Sequence, residues 1–428
     1  MPTLEQAGVI VVFGLVIYLL FKQPTFRVPF TQRYLTLDYS LAPLIGVLIL
    51  LIVGVLSPFE LWEAIKGGAV LKPYTIIILI LSMSYVCLSL DHTGFFDYSS
   101  LKVLEKAKSS GRGLFFLIIL WTFLLTLFTN NDIVILTMTF LICCFAYRAS
   151  LNPKPFLFAQ FLMVNTAGMV LYIGNPTNIV LSDAFNINFV KYARFMLLPS
   201  LILSAFAFFW LWLLFGRKVP PKFKEPKLEP SLALKDKNGA ILDLGFLIGM
   251  ILLMSLGLSA WKVALFFAIL AALVDLIRKT EVLDILKKVP WKLSYFLFGF
   301  FALVRGLEIT GCLSFLSAVL ERMAKMSYLG IVGIVLLSSL IASLINNHPM
   351  SILFAKALDA CPLDAVFACI VGSNLGANLA LTGALAGLLW ANILATKGIE
   401  VTFSEFSRVG LLYTLPLILL AGVLLAMI

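Results

Sequence analysis

The sequence predicts an all-α polytopic membrane protein built as two inverted repeats, with about ten transmembrane helices, two re-entrant helical hairpins and two broken helices. Three observations carry that prediction. The first is composition: 61% of the 428 residues are hydrophobic, 13% are charged and mean hydropathy is +1.04. Soluble domains run nearer 45–50% apolar and about 25% charged. The second is run length: the apolar runs are continuous and many approach the roughly 20 residues that span a bilayer as helix, whereas a membrane barrel would alternate. The third is a repeated irregularity. "FTNND" (128–132) and "INNHP" (345–349) set paired amides inside apolar runs, and each is followed by a run studded with Gly and Asn.

Charge sets the polarity of each element. A net charge of +10 would suggest a nucleic-acid partner in a soluble chain. In a membrane chain Lys and Arg collect in cytoplasmic loops, so no nucleic acid is expected. The basic clusters are Lys22/Arg27/Arg33, Lys102/Lys106/Lys108/Arg112, Arg148/Lys154, the stretch 216–239 and Arg278/Lys279/Lys287/Lys288/Lys292. With these inside, the N-terminus is outside. The first run follows an acid rather than a basic segment and is expected to be retained as a helix.

Helices are expected over 5–21, 40–57 and 73–90. The stretch 113–147 is flanked by Arg112 and Arg148, so both ends want the same side. That predicts a hairpin whose two arms, about 15 residues each, fall short of a full span and meet at Asn130–Asp132. Irregular backbone survives at membrane depth only beside protein or a wet cavity, so the tip should face a cavity. The run 155–183 carries "YIGNPTNIV", where Gly174 and Pro176 interrupt helical bonding; it predicts a broken helix from inside to outside. A helix over 196–215 returns. The first repeat is then 1–215, the cytoplasmic basic linker 216–239 and the second repeat 240–428. Helices over 240–258, 263–277 and 291–309 follow, then a hairpin over 329–358 with its tip at Asn346–His348. A second broken helix lies in 369–390, unwound around Gly372–Asn378, and a last helix over 408–427 ends outside. The same order with opposite polarity is the plan of secondary transporters, whose site lies near the midplane where interrupted segments meet.

The chemistry at these points is neutral hydrogen bonding. Asn130 and Asn131, Gly174, Asn175, Thr177 and Asn178, Asn346 and Asn347, and Gly372, Ser373, Asn374 and Asn378 form the candidate substrate-binding set. Half-helix N-termini add N–H donors and a positive dipole end. An acid at membrane depth is a functional candidate, which points to Asp132 as a proton carrier; His348 is a second candidate because imidazole titrates near neutral pH. Arg305 and Glu308 read as an i,i+3 ion pair. No Walker loop, HExxH or other enzyme motif occurs, so an enzyme, a cofactor and a metal site are not expected.

The stretches "SLSLDHTGFFDYSSLKVLEKAKSSGRGLFF", "FTNNDIVILT", "LINNHPMSIL" and "GALAGLLWANILATKGIEVTFSEFSRVGLLYTLPLIL" resemble the arsenite permease family, within the larger ion transporter superfamily. The resemblance covers most of the chain in order. Its most specific parts are the Asn-Asp tip, the Asn-Asn-x-Pro tip and the Leu-Leu-Trp after the second break. It implies a fold of two inverted repeats divided into scaffold and transport domains, in the cell inner (cytoplasmic) membrane. It implies efflux of arsenite and antimonite as neutral trihydroxides, driven by proton entry; some members pair with a cytosolic arsenical ATPase. Carried over by position, Asn130, Asn131 and Asp132 stand at the first tip, and Asn346 and Asn347 at the second. The chain departs from the family at both breaks: "GNPTN" replaces Ser-Asn-Leu-Val-Asn, and "GSNLGAN" lacks the Asp and Lys of Gly-x-Asp-Leu-Gly-Pro-Lys. "GNPTN" also resembles sodium/proton antiporters and anion permeases of the superfamily. A sodium- or proton-coupled dicarboxylate or sulfate carrier, or a sodium/proton antiporter, is therefore the alternative.

Overall fold

The computed structural model describes residues 3–27, 34–68, 72–224 and 226–427. Arg33, one of the basic positions used above, lies outside them. α1 (Leu4–Lys22) starts at a Thr3–Gln6 capping box, which satisfies two orphan backbone donors reciprocally. A short antiparallel ribbon, β1 (Thr25–Arg27) with β2 (Tyr34–Thr36), leads to α2 (Ala42–Ile52). The expected helix over 40–57 stops at Ile52, and a separate helix begins at Pro58. Gly54 takes φ +79°, which glycine adopts without a Cβ penalty. Ser57 and Glu60 then cap α3 (Pro58–Lys66), with Pro58 at its first position. α4 (Pro73–His92) follows, and α5 (Phe95–Glu105) is a short amphipathic helix absent from the sequence reading.

The predicted hairpin is α6 (Gly111–Phe128) and α7 (Asn131–Arg148), joined at Thr129–Asn130. Its arms have 18 residues each, about 27 Å at 1.5 Å per residue, so length alone would let each one span. Their outer ends lie together on one side. The Gly111 N–H donates to Pro221 O (3.2 Å) and Phe223 N–H to Ser109 O (3.0 Å). Phe145, near the end of α7, meets the Phe223 ring edge-on at 5.7 Å. The start of one arm and the end of the other thus reach the same three residues. The first broken helix is α8 (Lys154–Ala167), a single 3-10 turn at Tyr172–Gly174 and α9 (Pro176–Ala184). α10 (Phe189–Phe215) starts earlier than the expected 196, because Asn188 caps it, and it carries Pro199 inside.

The linker is laid down rather than loose. It holds α11 (Pro230–Ala233), and the Lys235 and Asp236 N–H groups both donate to Thr93 O. α12 (Lys237–Ser255), α13 (Ala260–Ile277), the short α14 (Val282–Lys288), α15 (Trp291–Ile309) and the amphipathic α16 (Ser314–Ala324) follow. The second hairpin is α17 (Ser327–Ile345) and α18 (Asn347–Ala357), and both arms pack on α16. The second broken helix is α19 (Leu363–Gly376), a break with one 3-10 turn at Leu381–Gly383 and α20 (Leu385–Thr396). α21 (Phe403–Leu425), capped by Thr402, closes the chain; it begins before the expected 408.

The two halves match element by element: α1–α10 correspond in order to α12–α21. The packing has the same symmetry with repeats exchanged. α4 packs on α12 and α13 as α15 packs on α1 and α2, and α7 packs on α20 as α18 packs on α9. Contacts also sort the ends onto two faces. On one face Lys154 of α8 pairs with Glu405 of α21 (2.9 Å) and Lys397 lies over Phe140 (4.0 Å). Lys292 of α15 pairs there with Asp38 (2.5 Å). On the other, Gln6 of α1 donates to Thr310 O beyond α15 (2.9 Å). Arg305 pairs with Glu308, and Lys356 joins them at 3.2 Å, which is the expected i,i+3 pair extended by α18.

The second break sits later than expected. Gly372, Ser373 and Asn374 are helical within α19, and unwinding runs from Ala377 to Ala384. A Cβ on Gly372 would stand 1.8 Å from Ser338 Oγ, and one on Gly376 2.5 Å from Ser339 O. These glycines let α19 lie close on α17, the small-residue packing that replaces hydrophobic drive between membrane helices. Gly174 behaves as predicted of a break: its Cβ position is 2.5 Å from Gly168 O, where the chain folds back on itself.

Candidate functional site

Each break must satisfy the backbone groups it frees, and asparagines at the tips do so. Asn130 Oδ1 accepts from Ile133 N–H (3.0 Å), capping α7. Asn175 Oδ1 accepts from Thr177 N–H (3.1 Å), capping α9. Asn346 Oδ1 accepts from His348 N–H (3.2 Å), capping α18, while its Nδ2 donates to Thr382 O (3.2 Å). Asn346 holds φ +78° with ψ 146°, outside the left-handed helical well and in a region that side-chain residues rarely adopt, so its backbone is strained at the tip. With Asn130 as the cap, Asp132 is left free of that duty, in the first turn of α7 at the positive end of the helix.

Asn130 and Asp132 line a cavity of about 250 Å³ between the first hairpin, α4, α9, α15 and α20. Pro176 and Leu385, the first residues of α9 and α20, also line it, so three half-helix N-termini border one space. Tyr39, Ser84 of α4 and Asn392 of α20 add polar groups, while Ile80, Leu88, Leu293 and Leu385 supply apolar wall. The mouth carries Asp38, Lys288 and Lys292, so the cavity opens to the face bearing the basic loops. Burial pushes the Asp38 carboxyl up, but hydrogen bonds from Lys292 and Ser40 outweigh it and hold the group below the ordinary carboxylate range. A second recess of about 200 Å³, lined by Thr75, Asp183, Asn186 and Trp261 among others, opens beside the α12–α13 turn at the opposite end of α4.

The remaining predicted residues fall into two groups. Asn175, Thr177, Asn178, Ser373 and Asn374 bond to one another across the repeats. Asn175 Nδ2 donates to Asn374 Oδ1 (2.9 Å), Asn374 Nδ2 to Asn178 Oδ1 (2.8 Å), and the Thr177 and Ser373 hydroxyls meet at 3.1 Å. Asn178 Nδ2 closes the first break by donating to Gly168 O (2.7 Å). All five are fully buried. They join α9 to α19 and line no part of the cavity, whereas the sequence reading expected open ligands. The other group is buried with spare polar atoms. Asn131 Oδ1, both side-chain polar atoms of Asn347, His348 Nε2 and Asn378 Nδ2 have no protein partner among the described residues. His348 Nδ1 lies 3.3 Å from Asn346 Oδ1, and its ring meets Phe296 edge-on. Asn346, Asn347 and His348 do not line the cavity. The two tips are therefore not equivalent in this conformation: only the first is open.

Sequence reasoning missed several polar residues. Asn392 sits inside the quoted "LLWANILAT" and Asn165 donates to Asn378 Oδ1 (2.9 Å); both are amides within apolar runs, the signal used elsewhere. Asp243 and Asp275 are acids buried in α12 and α13, a signal as strong as that at Asp132. Ser84 carries no such mark. Among the described residues no three His, Cys, Asp or Glu side chains gather as a metal would need.

The comparisons fit this geometry. A family model described as citrate transporter (CitMHS) matches residues 16–372. The arsenical pump membrane protein of Escherichia coli is 28% identical, over 78% of this chain and 81% of its own length. The putative arsenical pump membrane protein of Bacillus subtilis is 24% identical, over 87% and 90%, so the resemblance read from the sequence is met. Among solved structures, the Alcanivorax borkumensis YdaH transporter aligns with TM-score 0.55 at 15% identity, over 99% of this chain and 98% of that one. The Neisseria gonorrhoeae efflux pump MtrF aligns with TM-score 0.57 at 11% identity, over 100% and 95%. These two share the fold. With a family match across most of its length, this multi-pass membrane transporter belongs to the citrate transporter family.

Proposed function

We propose that the chain exports arsenite and antimonite, as neutral trihydroxides, across the cytoplasmic membrane in exchange for protons. One observation carries the reading: the open cavity ends on an acid and an amide, Asp132 with Asn130, at the tip of a re-entrant hairpin. A trihydroxide both donates and accepts hydrogen bonds, which suits Asn130, Asn392 and Ser84; Asn131, buried beside them with a spare Oδ1, would join on a small movement of the tip. Asp132 is the proton carrier, and its return to the ionised state on one side of the cycle couples the fluxes. The basic loops are cytoplasmic in this reading, so both termini are outside and the cavity faces the cytosol, ready to load. Asn347 and His348 form the matching half-site that opens when the second hairpin moves. The interlocked Asn175–Asn374 network is the pivot between repeats rather than a ligand set. The linker, on the cytoplasmic face, is where an arsenical ATPase would dock.

The test uses cells stripped of their own arsenite efflux. Cells carrying the wild type gain arsenite resistance, and those carrying Asp132→Asn do not. No gain from the wild type rejects the substrate; equal resistance from both rejects the proton role. One observation favours a second reading, transport of a carboxylate anion: Lys288 and Lys292 line the cavity mouth, and the family model bears the name of a citrate transporter. Proton- or sodium-driven citrate or dicarboxylate uptake into vesicles, lost in Lys288→Gln, would select it over arsenite.

A further inference from the structure

Two acids of the spanning helices take no part in the cavity. Asp243 of α12 and Asp275 of α13 are 0% and 1% exposed. Both reach one hydroxyl on α4: Ser89 Oγ lies 3.0 Å from Asp243 Oδ2 and 2.9 Å from Asp275 Oδ2. A serine hydroxyl has a single hydrogen. It can donate to one of these oxygens and must accept from the other. Two ionised carboxylates would leave one contact as bare lone pairs at hydrogen-bond distance in a low dielectric, where an unpaired charge is most costly. One of the two acids is therefore protonated.

The surroundings say which. Asp275 accepts from the Tyr85 hydroxyl (3.0 Å) and has the Arg278 guanidinium 3.6 Å away. Arg278 is itself ion-paired with Asp236, the N-cap of α12. Asp243 has Ser89 alone; its Oδ1, like that of Asp275, is buried without a hydrogen-bond partner among the described residues, so the Tyr85 hydroxyl and the Arg278 guanidinium make the difference. The charged groups acting on Asp243 are Asp275, Arg278 and Asp236, and only Arg278, nearer to Asp275, favours a negative charge.

We infer that Asp243 is a proton-binding site, holding its proton in a directed chain from the Asp243 carboxyl to Ser89 Oγ and from the Ser89 hydroxyl to the Asp275 carboxylate. The chain balances as a relay: Ser89 passes its hydrogen to Asp275 as it takes the one from Asp243, so one proton moves and nothing else changes. Asp275, Ser89 and Arg278 border a recess of about 240 Å³ that also meets His92, Lys235 and Glu281, which gives the relay an exit on the basic face. Ser84 and Leu88, on the neighbouring side of α4, line the substrate cavity. The site is thus set across one helix from the cavity and is separate from Asp132. Its part in transport rests on the proton-coupled reading above; the binding of the proton does not.

The test is infrared difference spectroscopy of the purified full-length protein in lipid, titrated with acid and base and without substrate. At neutral pH the wild type shows the carbonyl stretch of a protonated carboxylic acid, which Asp243→Asn removes and Asp132→Asn and Asp183→Asn leave in place. A band absent from the wild type, or untouched by Asp243→Asn, overturns the proposal. Ser89→Ala provides the second variant, keeping both acids: the Asp243 band moves to higher frequency as its O–H loses its acceptor, and an unmoved band overturns the proposal. Because no substrate is added, a positive band beside failed arsenite resistance rejects the substrate alone.

Discussion

Asn374 reaches two residues of the other repeat with one amide: its Oδ1 accepts from Asn175 and its Nδ2 donates to Asn178. Asn374→Ala leaves a buried donor and a buried acceptor unpaired, at about 1–3 kcal/mol each. The expected outcome is a lower melting temperature in detergent, with Asn178→Ala costing less on that background than alone because the shared bond is already gone. Additive losses would mean that the two amides act independently. Asp38 makes a pH prediction. Its folded value is depressed by Lys292 and Ser40, so its contribution is present above the unfolded carboxylate value and is lost as pH falls through the folded one. Acidification below the ordinary carboxylate range should loosen the tie between the ribbon and the start of α15 at the cavity mouth. Melting temperatures measured across that range should fall less steeply in Asp38→Asn than in the wild type; parallel curves would remove Asp38 from the acid response.

At the scale of elements, glycines explain where the sequence could and could not be read. The stretch 369–390 announces its interruption by Gly372 and Gly376, yet both serve the approach of α19 to α17, and the chain unwinds only after them. Composition cannot separate a glycine that breaks a helix from one that lets two helices touch, because both lack a Cβ and only the neighbour differs. Gly372→Ala tests the assignment: its Cβ would meet Ser338 Oγ, so it should destabilise by about 1–3 kcal/mol as overpacking does, and Ser338→Gly should restore part of the loss. A neutral Gly372→Ala would return the glycine to a role in unwinding. The first hairpin was legible because charge at both ends and amides at the centre fix it without reference to partners, and the second because its amide tip repeats that order, although Arg322 and Lys325 beside it run against the charge rule; α15 was legible by length. α3, α5, α14 and α16 were not, being short and amphipathic where only spans were sought. The tip amides were found, but their division into an open set and an interlocked set depends on pairs nearly two hundred residues apart, such as Asn178 with Asn374. Asp243 and Asp275 carried the same intramembrane signal as Asp132 and were hidden by the apolarity of their runs.

At the scale of the whole molecule, the inverted repeat makes a statement about access. The open cavity ends on the first tip and opens among the basic loops, while the second recess opens at the opposite end of α4. Symmetry relates the two hairpins, so exchanging their conformations would close one opening and widen the other without new contacts being invented, which is alternating access in an inverted repeat. Two exposed positions report on it: Asn392 in the cavity and Ser259 in the opposite recess. In a background lacking the six native cysteines, Asn392→Cys should react with a membrane-impermeant thiol reagent from the basic-loop side when the cavity is open as here, and Ser259→Cys from the other side. Substrate should protect the Asn392 position, since it fills the same space, and should change the Ser259 rate only by shifting the population of conformations. Labelling of both from one side would undo the two-face topology.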